Sequence, residues 1–480
     1  MSNLSDLLPA GGGGKQVDFV ASGTIGNGVT VALKANGTVE AVSGVTQAIG
    51  SPSVFESASS SYTSATFDSA NNKVVVAYTD GGNSGYGTAV VGTVSGTSIS
   101  FGTPVVFQSA TIYYVSATFD SNSNKVVIAY RNGGNSNRGT AIVGTVSGTS
   151  ISFGSAAVFV TTTANYSKAV FDSNSNKVVI AYRDVANSES GTAIVGTVSG
   201  TSISFGSAVV FNTGTTTPLS GTFDSNSNKV VIAYVDANNS DYGTAIVGTV
   251  SGTSISFGSE VVYESANTTG SGSVVFDSSN NKVVIVYLDN GNSSYGTAIV
   301  GTVSGTSISF GLPTVFESAF AYDISATFDS NANKVVVAYS DGGNSYFGTV
   351  VVGTVSGTSI SFDSPSVFEG ATTYYSAPTF DSNSNKVVIA YKDNSNSGYG
   401  TGVVFLTPFS NNTSFIGITD QAIANGASGK VVVQGGVSEK VTSLTANTDY
   451  YVQADGSIST TVSTVPAGKA LSATSILLKG

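Results

Sequence analysis

The chain contains no cysteine and no histidine. The first absence excludes a disulfide framework and thiolate chemistry. The second removes the commonest general base and the commonest zinc ligand. Tryptophan is also absent. Charge is scarce: Asp, Glu, Lys and Arg make up 10% of the 480 residues, and Lys+Arg 18 against Asp+Glu 29 leave a net charge of −11. An acidic balance argues against nucleic acid or an anionic membrane as the main partner. No apolar run approaches the length of a membrane span, so membrane insertion is not expected. The opening residues Met1 to Leu8 lack a basic segment and a long apolar segment, and do not read as a signal peptide. The expectation is assembly in a cytoplasm and release by another route, such as lysis.

Ser, Thr, Asn and Gly take over the solubilising role of the missing charges, and they recur in register. A Phe-Asp pair stands at Phe67-Asp68, Phe119-Asp120, Phe171-Asp172, Phe223-Asp224, Phe276-Asp277, Phe328-Asp329 and Phe380-Asp381, at intervals of 52, 52, 52, 53, 52 and 52 residues. A fixed period of this size marks one supersecondary unit copied seven times, each copy burying its apolar face against its neighbours. Within residues 116–159, Ser116 to Phe119 reads as a first strand and Asp120 to Asn124 as a polar turn. The apolar run Lys125 to Tyr130 is a second strand covered on both faces, and Thr140 to Val146 is a third. After a tight turn at Ser147-Gly148, Ser150 to Phe153 is expected to run on to Phe159 as a fourth strand with a bulge at Gly154.

Four antiparallel strands in about fifty residues resemble one blade of a β-propeller; the Trp-Asp and kelch signatures are absent. A linear β-solenoid is the competing reading. Closure is favoured because the seventh copy lacks the Gly-Thr-Val-Ser-Gly-Thr-Ser-Ile-Ser-Phe-Gly segment, while a degenerate copy, Ala41 to Gly50 followed by Ser51 to Phe55, precedes the first repeat. An N-terminal strand completing the last blade would remove both open edges. The small residues Ala65, Ala117, Ala169, Gly221, Val274 and Ala326 on the first strands suit convergence on an axis, or simply a sheet with small side chains. The fold class is thus all-β: a seven-bladed β-propeller of four-stranded blades closed by an N-terminal strand, plus a small composite β-domain from the two termini. The expected boundaries are a flexible leader 1–14, the N-terminal part of the composite anchoring domain 15–40, the propeller 41–412, and the C-terminal part of the anchoring domain 413–480.

Comparing the copies separates two ends. The turn after each Phe-Asp and the Val-Ser-Gly-Thr-Ser-Ile turn are nearly constant, whereas the other end varies and is rich in tyrosine. The segments between the fourth and first strands, read as loops, carry Tyr62, Tyr113, Tyr114, Tyr166, Tyr322, Tyr374 and Tyr375, with Phe320. The segments between second and third strands, also read as loops, carry Tyr86, Tyr242, Tyr295, Tyr346 and Tyr399, with Phe347. Tyr among Ser, Gly and Asn combines rigid amphipathic anchors with adaptable hydrogen bonders, as in a paratope. These twelve tyrosines form the candidate ligand-binding face; packing between neighbouring loops is the competing reading.

Catalytic candidates are lacking. The Asp120-x-Asn122-x-Asn124 turn lacks the central Gly and distal Glu of a calcium loop, so no metal and no cofactor are expected. Arginine occurs only at Arg131, Arg138 and Arg183. Glu56, Glu264, Glu317 and Glu369 recur at one position of separate repeats and make poor candidates for a close acid/base pair. The expectation is a protein that is not an enzyme.

The flanks carry a second resemblance. Gly417 to Gly426, Gly429 to Val437, Tyr450 to Gly456 and Gly468 to Thr474 resemble the terminal β-domain of tailed-bacteriophage virion proteins, especially marine ones, and small phage capsid-decoration domains; residues 15–40 resemble the opening strands of such a module. This resemblance implies a virion surface protein (fibre, adhesin or capsid decoration), attached to other virion proteins as a homo-oligomer and displaying the propeller to host surface glycans or proteins. The alternatives are a secreted, extracellular bacterial adhesin or lectin and, third, a polysaccharide-degrading enzyme.

Overall fold

The computed structural model describes residues 15–34, 36–268 and 272–479; the expected leader, residues 1–14, lies outside them. Among the described residues all regular structure is strand or short 3₁₀ turn. The chain divides into two compact units, Ala48–Thr407 and Met1–Gln47 with Pro408–Gly480. These boundaries fall inside the expected 41–412 range. The reason is local: Val42 is buried in a core with Tyr450 and Ile476, and Gly44–Val45 pairs with Phe409–Ser410, so both flanking stretches belong to the terminal unit.

The larger unit is built from the repeat. Each Phe-Asp aspartate ends a strand and is buried, and its Oδ1 accepts two backbone N–H groups of the following turn: Asn122 and Ser123 onto Asp120, both at 3.0 Å, and Asn331 and Ala332 onto Asp329, both at 2.9 Å. The turn closes through an asparagine in the left-handed region, such as Asn124 at φ 53° or Asn333 at φ 56°. These aspartates are turn caps.

Two expected features differ in the structure. In six of the seven crossings the fourth and first strands are not joined by a loop; in the remaining one Val261–Asn267 and Ser273–Asp277 are separate strands. Val105–Asp120 is a single sixteen-residue strand whose first half pairs with the third strand of its own repeat (Val105 opposite Ala89) and whose second half pairs with the next repeat (Ala117 opposite Ile128). The transfer occurs at a bulge between Tyr113 and Ser116, where Tyr114 sits at φ 53°. Nor does Ser150–Phe153 continue through Gly154 as one bulged strand. It stops at Phe153, and pairing with Arg138–Ser147 resumes at Ala157 on the long crossing strand.

Successive repeats are locked together by apolar clusters. Val75 and Ala77 of the first repeat pack with Ile128 and Tyr130 of the second, and the pattern recurs along the array. A further cluster joins Val388, Ala390 and Val404 of the seventh repeat to Val74, Val76 and Tyr78 of the first. Ser53 and Val54 pair with Gly402 and Thr401, and Ile49 with Phe405. At most interfaces an aromatic triad recurs, such as Phe316 with Tyr339 at 5.3 Å and Phe362 at 5.5 Å; the interface of last and first repeats has Phe55 with Tyr78 at 5.1 Å and Phe101 at 5.3 Å.

The glycine after each short fourth strand has a steric cause. A methyl group on Gly154 would collide with the carbonyl oxygen of Thr201 in the next repeat, and Gly102, Gly206, Gly258 and Gly311 meet the corresponding threonine. Gly50 meets Thr97 of the first repeat in the same way. The equivalent residue facing the seventh repeat is Asp363, and there the Thr-bearing turn is absent from the sequence, which leaves room for a side chain.

The terminal unit interleaves both chain ends. One five-stranded sheet has the order Gln16–Val20, Ser428–Val433, Phe415–Thr419, Thr30–Leu33, Val39–Ala41; a second has Val437–Ser438, Ser475–Leu478, Pro466–Ser472, Asp449–Val452, Ile458–Ser459. Ala32, Ile418 and Val432 from the first pack with Tyr450, Val452 and Ile476 from the second.

Candidate functional site

In five of the repeats the bulge places one residue at a common position. Tyr62, Tyr114, Tyr166 and Tyr375 occupy it at φ 51–54°, and Asp323 at φ 49°. A bulky residue here is strained, and such strain clusters at functional positions. The four tyrosines line a single cavity of about 320 Å³, to which six of the seven repeats contribute through residues such as Ser64, Ser116, Lys168, Ser273, Ser325 and Ala377. Their rings are in contact: Tyr62 lies edge to face with Tyr114 at 5.3 Å and tilted against Tyr375 at 5.3 Å, and Tyr114 lies tilted against Tyr166 at 4.7 Å.

Behind this wall stand two of the three arginines. The Arg131 guanidinium is 4.1 Å from the Tyr113 ring and 5.0 Å from the Tyr114 ring, and Arg183 is 5.0 Å from the Tyr166 ring. Arg131 donates to Asn165 Oδ1 at 2.7 Å and Arg183 to Thr217 Oγ1 at 2.7 Å, so each bridges to the next repeat. Burial pushes the phenols of Tyr62 and Tyr114 up and that of Tyr375 to about 12, so all three are neutral at physiological pH and present both an aromatic face and a donor hydroxyl. Asp323 accepts the Tyr375 N–H at 2.8 Å, and burial pushes its carboxyl up to about 6.

The twelve candidate tyrosines therefore separate. Tyr62, Tyr114, Tyr166 and Tyr375 share the cavity. Tyr113 packs on Tyr62 and Arg131. Tyr322 packs on Tyr374 at 6.1 Å and on Phe320 at 6.2 Å, and Phe320 meets Tyr346. Tyr113, Tyr322 and Tyr374 lie on the crossing strands, not in loops. Tyr86, Tyr242, Tyr295 and Tyr399 also lie outside loops: each is the first residue of a third strand, opposite a residue of its own repeat's crossing strand or, for Tyr399, opposite Ser59. Only Tyr346 falls in a turn.

The recurrent glutamates have a structural task. Tyr78, Tyr287, Tyr339 and Tyr391 are fully buried and donate their hydroxyls to Glu56, Glu264, Glu317 and Glu369 at 2.9–3.1 Å; Tyr130 donates to Gln108 at 3.0 Å. In the third repeat the acceptor position is Val160, and the Tyr182 hydroxyl has no partner among the described residues. A buried polar group left unpaired costs about 1–3 kcal/mol. Tyr339→Phe, which removes the hydrogen bond to the half-buried Glu317, is expected to destabilise by about 1.5–3 kcal/mol, the range for a hydrogen bond to a charged group. Tyr182→Phe is expected to leave the denaturation midpoint unchanged or raise it. Chemical denaturation of the two variants side by side checks this.

No protein-family model and no curated protein matches the sequence. Among solved structures the chain is similar to the BP39L lectin from Burkholderia pseudomallei, with a TM-score of 0.52 and 11% identity over 74% of this chain and 99% of the lectin chain. It is also similar to a protein of unknown function from Dyadobacter fermentans, with a TM-score of 0.45 and 10% identity over 76% of this chain and 99% of the other. At such identity the likeness to the lectin is one of fold: both chains share an all-β architecture.

Proposed function

We propose that the protein is a glycan-binding adhesin of a bacteriophage particle. In this reading the seven repeats form a seven-bladed β-propeller shut by residues 48–55 on the last repeat. Its tyrosine-lined cavity binds saccharides of a host surface by contact and hydrogen bonding, without catalysis. The terminal unit attaches the protein, as a homo-oligomer, to other virion proteins. The observation that carries the binding role is the convergence of Tyr62, Tyr114, Tyr166 and Tyr375 on one cavity. Its size lies at the lower end of the roughly 300–1,000 Å³ typical of ligand sites, enough for one or two sugar rings. The fold shared with a bacterial lectin supports the same role. The virion assignment rests on the resemblance of the terminal strands.

A glycan array probed with the purified chain tests the binding role. Binding to a defined set of saccharides is expected, and Tyr114→Ala with Tyr375→Ala is expected to abolish it while the far-ultraviolet spectrum is retained. Loss of no signal in the double variant would contradict the site. Mass spectrometry of purified particles tests the virion assignment.

A further inference from the structure

The cavity wall departs from the repeated serine at two places, the neutral Ala377 of the seventh repeat and one charged side chain. Ser64, Ser116, Ser220, Ser273 and Ser325 occupy one repeat position, and at the third repeat that position is Lys168. The serine has a local task. Ser64 Oγ accepts the N–H of Ala117 at 3.0 Å, Ser116 Oγ that of Ala169 at 3.0 Å, and Ser220 Oγ that of Val274 at 3.1 Å, each a tie from one repeat to the next. A lysine cannot accept, so the third repeat gives up this tie and gains an ammonium on the cavity wall.

That ammonium has no ion pair among the described residues, and no Asp or Glu lines the cavity. Burial pushes its pKa down, as expected of a cation with no counter-charge. The acids near this wall are engaged elsewhere: Asp323 on the Tyr375 N–H, Asp184 on Thr162, and Glu189 beside Arg183 at 3.7 Å. Arg131 and Arg183 do not line the cavity but pack on the rings of Tyr114 and Tyr166, which do, so two further positive groups back the tyrosines that share the wall with Lys168, in a chain of net charge −11. A side chain that loses a local bond and faces an open cavity unpaired is suited to an incoming anion.

We propose that the cavity is selective for acidic saccharides, with the carboxylate of a uronic acid or similar sugar placed on Lys168 Nζ and the sugar ring against Tyr114 and Tyr166. This inference rests on the glycan-binding reading and names its ligand class.

The test compares the full chain with Lys168→Ser and Lys168→Arg, titrating by calorimetry with a galacturonic acid tetramer and a neutral galactose tetramer. Lys168→Ser installs the residue found at this position in five other repeats, so folding is expected to be retained. The wild-type chain is expected to bind the acidic oligomer at least about tenfold more tightly than the neutral one, the order set by one charge-assisted contact. Lys168→Ser is expected to erase that preference without weakening the neutral oligomer, and Lys168→Arg to keep it. Equal binding of both oligomers by the wild type, or an acid preference that survives Lys168→Ser, overturns the inference. Binding of neutral sugars alone overturns it and leaves the glycan reading standing; binding of neither, together with a blank glycan array, removes both.

Discussion

Deleting residues 48–55 is expected to convert a soluble protein with one cooperative melting transition into an aggregating one. The deletion removes Ala48–Ile49 and the start of Ser53–Asp68, the two stretches paired with Tyr399–Leu406. It strips the edge of a strand whose Val403, Val404 and Phe405 are fully buried, and an unpaired apolar edge is a template for association between chains. It also removes Phe55, whose ring fills the interface between the last and first repeats against Tyr78 and Phe101. Loss of a buried phenylalanine alone costs about 3–5 kcal/mol, a large share of the roughly 5–15 kcal/mol that a domain commands. Size-exclusion chromatography and a thermal scan check the outcome; a monomer with unchanged melting would show that the N-terminal strand is dispensable.

The second large effect is expected inside the array. Phe316→Ala should lower stability by about 3–5 kcal/mol. The Phe316 side chain is 8% exposed and packs between Tyr339 and Phe362, with its ring lying so close over Gly296 that no Cβ fits beneath it. Truncation leaves a cavity between two repeats that the rigid sheets cannot close. Leu312→Ala, four residues away at a side chain 80% exposed, is the control and should change stability by less than about 0.5 kcal/mol. The midpoint of urea unfolding, compared between the two variants, checks this contrast.

Much of the fold was legible because the repeat reports on itself. The apolar run starting at Lys125 was visible as a strand, and the structure extends it only to Asn132. The missing segment of the seventh copy and its degenerate counterpart before Phe55 pointed to the pairing of Ile49 with Phe405. The crossing strands were not legible as strands. Polar residues mixed with tyrosine look like loop chemistry, and a bulge with a left-handed tyrosine has no propensity signal of its own. One cue was available: Tyr62, Tyr114 and Tyr166 are spaced by 52 residues, whereas true loops between copies drift in length. The same arithmetic could have found the glutamate task, since Glu56 precedes Tyr78 by 22 residues, as Glu317 precedes Tyr339 and Glu369 precedes Tyr391. Lys168 was overlooked because a lone lysine among serines is unremarkable until the repeats are aligned and the position is seen to face a cavity.

Residues 48–55 pair with the third strand of the last repeat and so latch it to the first. Because the chain has no cysteine, a pair introduced at Ala48 and Leu406, which are opposite one another in the sheet, provides two thiols and no competitors. Oxidising Ala48→Cys/Leu406→Cys at low protein concentration and measuring free thiols, mass and melting temperature tests the latch directly. Near-complete intramolecular disulfide formation in a monomer whose melting temperature rises on oxidation is the predicted result. Thiols that stay free, or that link separate chains, would contradict it.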